Sequence, residues 1–104
     1  MVNPLRGEVQ IVLDGQPHIA RLTLGALAEL ESALAEDSLA GVLRRLEEGR
    51  FSSGDIMAVL VAGLRGGGWT GGESDLLERQ IDGGPLEGAR IAARLIALAF
   101  RDAA

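Results

Sequence analysis

The chain has 104 residues with no cysteine, one histidine, ten arginines, no lysine, fifteen acidic side chains, a net charge of −5 and 47% apolar residues. A chain of this length supports one core that buries about two-thirds of the unfolded surface, enough to fold without disulfides or metal. The composition excludes thiolate metal sites and thiol nucleophiles, and the acidic balance argues against duplex nucleic acid, whose binding rests on clustered cations.

Residues 1–8 hold no apolar targeting segment, so the expected location is the cytoplasm. Residues 8–13 alternate, with Val9, Ile11 and Leu13 on one side, and Asp14-Gly15 supplies a tight turn. A second strand through Ile19 and Leu22, with His18 and Arg21 off that face, completes a β-hairpin over residues 7–23. Such a hairpin is marginal alone and needs a cover.

The cover is helical. Thr23 caps a helix carrying Leu24, Leu27, Leu30 and Leu34, with Glu29, Glu31 and Ser32 outward. Ser38 caps a second through Leu39, Val42, Leu43 and Leu46, stopped by Gly49. Ser52 and Asp55 have capping-box spacing for a third through Ile56, Val59, Leu60, Gly63 and Leu64. Met57, Val61 and Ala62 make it apolar nearly all round, which places it at the centre of a three-helix core over residues 24–66.

A glycine-rich loop over residues 67–72 follows and is expected to be the most flexible segment, a candidate hinge. Thr70 and Glu73 have capping-box spacing for a short acidic helix through Leu76, Leu77 and Ile81, stopped by Gly83-Gly84. Pro85 opens a last helix with Leu86, Ile91, Leu95, Ile96, Leu98 and Phe100, and the C-terminal helices occupy 73–104. The expected fold is one α+β domain over residues 1–104, predominantly helical, with the hairpin packed on four or five short helices. Its apolar runs fall short of the roughly 20 residues that cross a bilayer, so no membrane partner is expected.

No motif carries chemistry. Gly66, Gly68 and Gly71 match G-x-G-x-x-G, but they follow a helix where a dinucleotide site needs a parallel strand. His18 is alone, no serine sits in G-x-S-x-G, and pairs such as Glu47-Glu48 and Asp75 with Glu78 lie on polar helix faces. No catalytic, cofactor or metal residues are therefore assigned, and the chain is not expected to be an enzyme. Two features suit a protein partner. Between Leu22 and Leu43 the charged residues are Glu29, Glu31, Glu36 and Asp37, either a solvated face or a docking surface for a basic partner. Trp69, the sole tryptophan, either folds back onto the core or stands out as an anchor.

The series Asn3-Pro4-x-Arg6-Gly7-Glu8, Leu13-Asp14-Gly15 and Leu22-Thr23-Leu24-Gly25-Ala26-Leu27-Ala28-Glu29-Leu30-Glu31 resembles the opening of a small family encoded in the tail-gene region of gene transfer agents and tailed phages. Arg45-Leu46-x-x-Gly49-Arg50-Phe51-Ser52-x-x-Asp55 and Gly63-Leu64-Arg65-Gly66-Gly67-Gly68 are similar to its middle. The resemblance implies a tail tube-associated protein or tail assembly chaperone, without cofactor. Its implied partners are the tape-measure protein, tail tube subunits, or both, with particle association and self-assembly open. On that footing a groove for an amphipathic helix is expected, formed or bordered by Trp69, Leu95 and Phe100, with Glu29 and Glu31 as further partner-binding candidates.

Overall fold

The computed structural model describes residues 2–34 and 38–103, the last three without their side chains. Asn3 caps a 3-10 turn, Pro4–Arg6, and Gly7, at φ +76, turns the chain into β1 (Glu8–Leu13). β2 (Gln16–Arg21) returns antiparallel in a register running from Glu8↔Arg21 to Leu13↔Gln16. Asp14 and Gly15 both take positive φ, +50 and +79, the twist that a two-residue hairpin turn requires.

Val9, Ile11 and Leu13 face the core as expected. On β2 the expected face is corrected: Ile19 is 37% exposed, whereas Ala20 and Leu22 are buried. The register sets Ile19 beside Gln10 on the outer face, and alternation then sends Ala20 inward.

The helices are α1 (Leu24–Ala33), α2 (Leu39–Glu47), α3 (Ser53–Gly66), α4 (Glu73–Leu77) and α5 (Gly84–Ala103). Thr23 and Ser38 cap as expected, accepting the Ala26 and Gly41 N–H groups at 3.1 Å each. Ser52 and Asp55 form the reciprocal capping box. Two expectations fail near the C-terminal end. α4 starts after Gly72, not at a Thr70 cap, with the Gly72 N–H donating to the Asp75 carboxylate at 2.7 Å. It also stops at Leu77. Ile81 leaves the helix to make a bridge with Leu13, closed by Asp14 N–H to Gln80 C=O at 2.9 Å and Asp82 N–H to Val12 C=O at 3.0 Å. α5 spans the stretch expected of the last helix, from Pro85 through Phe100, and opens one residue earlier, at Gly84.

The inner face of the hairpin rests on α3 and α5, with α3 against β2 and α5 against β1, while α1 packs on α3 and α2 on α5. Gly88 approaches Ile56 and Leu60, and Gly63 approaches Leu95, so contacts advance together and α3 and α5 run in the same direction. α3 is central, with Ile56, Val59, Leu60, Ala62 and Leu64 buried. No buried polar side chain interrupts the core among the described residues.

Candidate partner-binding site

The glycines after α3 serve close approach. A β-carbon on Gly66 or Gly67 would collide with the carbonyl oxygens of Arg21 or Ile19, so the helix end lies directly against the β2 main chain. Gly68, at φ +106, turns the chain, and the Trp69 N–H donates to Leu64 C=O at 2.9 Å. The indole covers Gly71, where any β-carbon would strike the ring. Trp69 is thus half-buried and packed against the core, the first of the two arrangements open to it from sequence.

Trp69 lines a small hollow of about 250 Å³ with Leu13, Pro17, His18 and Arg79 at the turn end of the hairpin. Asp14 fastens this corner. Its carboxylate accepts the Gln80 N–H at 2.9 Å and pairs with Arg79 at 3.3 Å. The Gln80 hydrogen bond, aided by Arg79, holds the carboxyl below its ordinary value.

An open groove of about 560 Å³ lies between the first turns of α3 and the segment leading into α5, lined by Ser53, Ile56, Met57, Arg79, Gln80, Ile81, Gly84 and Pro85. Hydrocarbon dominates its lining. Leu77 and Leu86, on either side of that segment in sequence, are 67% and 70% exposed. A concave apolar surface of this kind accepts side chains from the apolar face of a helix.

A second groove, about 490 Å³, runs between α1 and α3 along Ala33, Gly54, Ala58 and Gly72, with Glu29 and Glu73 at its margin. Glu29 pairs with Arg65 at 3.5 Å, both side chains about half exposed. Nearby, Arg45 of α2 bonds Asp55 at 3.0 Å and locks the start of α3 to its neighbour. Burial pushes the Asp55 carboxyl up, but hydrogen bonds from Arg45 and the Ser52 N–H, with the guanidinium charge, leave it below its ordinary value. Among the described residues no group of three or more His, Asp or Glu side chains is placed to hold a metal ion, and no helix is long and apolar enough to cross a membrane.

A family model described as "Phage tail tube protein, GTA-gp10" matches residues 6–102. The chain belongs to this family. No curated protein and no solved structure matches it. The match runs from the 3-10 turn into the last turn of α5, so every surface described above lies inside the part shared with the tail tube family.

In this tail tube family chain the five candidates named from sequence do not form one groove. Leu95 is 1% exposed and packs on Gly63, so it belongs to the core and not to a surface groove. Trp69 stands at the turn end of the hairpin, beside Leu13. Phe100, 41% exposed, lies about 24 Å along α5 from Gly84 at a rise of about 1.5 Å per residue. α5 runs from the Leu13–Ile81 bridge past Val9, which puts Phe100 beyond the opposite end of the hairpin. Glu29 is engaged by Arg65, which corrects the expectation of unpaired like charge there; Glu31 is exposed, and Glu36 and Asp37 lie outside the described residues. The α3 groove was missed because Ile81 reads as a helix position, whereas its extended backbone is what forms the wall.

Proposed function

We propose that this tail protein works by holding another polypeptide, as a tail assembly chaperone that binds the tape-measure protein in the cytoplasm while tube subunits polymerise, and that it has no enzymatic activity. The apolar groove formed by Ile56, Met57, Ile81 and Pro85 carries this reading, because its shape and lining suit the apolar stripe of a long amphipathic helix. Membership in the tail tube family supplies the setting. Co-expression tests it: the tape-measure protein encoded with this chain stays soluble and co-purifies with it, whereas a tape measure that aggregates equally with and without the chain overturns the reading.

The family's own description, a tail tube protein, favours a second reading, a structural component retained in the particle. Mass spectrometry of purified particles separates the two. A chaperone is depleted from finished tails, and a structural subunit is present at a fixed ratio to the tube protein.

A further inference from the structure

The second wall of the α3 groove is a strap, residues 78–83, which joins α4 to α5. Arg79, Gln80 and Ile81 line the groove on one flank of the strap. On its other flank Gln80, Ile81, Asp82 and Gly83 share a hollow of about 360 Å³ with Asp14 and Gly15 of the hairpin turn. Within the strap Ile81 alone is half-buried, and the other residues are exposed. Ile81 takes the room that Gly88 of α5 leaves by lacking a side chain, since a β-carbon there would stand 3.3 Å from Ile81 Cδ1. Packing therefore fixes one side chain of this wall and not its main chain.

The polar ties that hold the main chain converge on the hairpin. The Asp14 carboxylate accepts the Gln80 N–H at 2.9 Å and pairs with Arg79 at 3.3 Å. The Asp14 N–H donates to Gln80 C=O at 2.9 Å, and the Asp82 N–H donates to Val12 C=O at 3.0 Å. Asp14 thus makes three of these four ties, and among the described residues no hydrogen bond or ion pair joins the strap to α3. Asp14 is also the one non-glycine residue at positive φ among the described residues, so the two-residue turn fixes where its carboxylate stands. At the far end of the strap Gly83 and Gly84 take φ +89 and +75, where glycine bears no steric penalty.

We infer that Asp14 is the positioning residue of the α3 groove: from the hairpin turn it latches the strap, and the latched strap holds Gln80 and Ile81 in place as the second wall. Release of the latch is a local opening that dismantles this wall while α3 and the rest of the core stay folded. A partner seated in the groove contacts the strap in its latched position, so binding and latching favour each other. That effect on a partner rests on the reading of this groove as the partner's seat, whereas the latch is a property of the free chain.

The test is amide hydrogen exchange of the full chain, 15N-labelled and without a partner, in water and in low urea. The Asp82 amide exchanges through an opening that low urea leaves unchanged, whereas the Leu60 amide of α3 speeds up with urea. Asp14→Gly keeps the positive φ of the turn and deletes the carboxylate. It accelerates the Asp82 amide about fivefold or more, although the acceptor of that amide, Val12 C=O, is untouched, and it shifts the Ile81 δ-methyl resonance. Asp14→Asn keeps an oxygen for the Gln80 N–H and stays within about twofold of the parent chain. Acceleration confined to Gln80, Asp82 exchange that follows Leu60 through global unfolding, or equal effects of the two substitutions overturns the inference. Capture of the tape-measure protein falls about threefold or more with Asp14→Gly and is kept with Asp14→Asn, and undiminished capture by Asp14→Gly overturns the link to binding. A parent chain that captures nothing overturns the chaperone reading instead, and the exchange rates still decide the latch.

Discussion

Gly67 and Ile19 meet main chain to main chain: a β-carbon on Gly67 would occupy the space of the Ile19 carbonyl oxygen. Gly67 has φ −88, which any residue adopts, so this glycine is required by proximity alone. Gly67→Ala forces α3 and β2 apart and costs about 1–3 kcal/mol, lowering the melting temperature by about 4–8 °C per kcal/mol. Gly25→Ala, where a β-carbon meets nothing within 4 Å, raises it by a few degrees or less. Thermal denaturation followed by circular dichroism checks the contrast, and equal effects of the two substitutions would refute it.

The Arg45–Asp55 pair makes stability depend on acid pH in a stated direction. The Asp55 carboxyl is held below 3.8 in the folded chain, so its contribution is complete above the unfolded value and disappears as pH falls through the folded one. Asp55→Asn also weakens the capping box, and it lowers stability at pH 7 by about 1–2 kcal/mol. Urea denaturation of both proteins between pH 7 and pH 2.5 tests this. The difference narrows below about pH 4; a difference that stays constant across the range contradicts the assignment.

Trp69 reports on the corner where the hairpin meets Arg79 and Gln80. As the sole tryptophan, half-buried over Gly71, it gives a single-site fluorescence signal whose emission shifts to the red on unfolding. Trp69→Ala removes that cover and costs about 2–3 kcal/mol, below the value for a fully buried ring. A variant as stable as the parent chain would place the ring outside the packing.

For the proposed chaperone activity the decisive substitution is Met57→Glu, which sets a charge in the α3 groove beside Ile56 and Ile81. Capture of the tape-measure protein falls by about tenfold or more while the circular dichroism spectrum is kept. Phe100→Ala, distant from that groove, leaves capture within about twofold. Pull-down at matched expression distinguishes the outcomes, and the reverse pattern would move the site to the far end of α5.

How far residues reveal structure here depends on the range of the interaction. The Thr23, Ser38 and Ser52 caps and the Asp14-Gly15 turn are local chemistry, complete within about four residues, and each is legible in the chain. The face of β2 was less so, because Ile19 is the larger apolar residue, and only the register shows that Ala20 turns inward. Ile81 follows Leu77 at helical spacing, yet its backbone pairs with Leu13. Gly66 and Gly67 read as looseness when their partner is a strand more than 40 residues away. The candidate site has the same limit. Leu95 and Phe100 lie on one apolar helix, and nothing local tells that α3 covers the first and leaves the second exposed.

The bridge between Leu13 and Ile81 also bears on synthesis. Val9, Ile11 and Leu13 precede by about 70 residues or more the α5 surface that shields them, which follows Ile81 in the chain. The β1 side of a nascent hairpin therefore stays uncovered until α5 has emerged, and its closure is a long-range step.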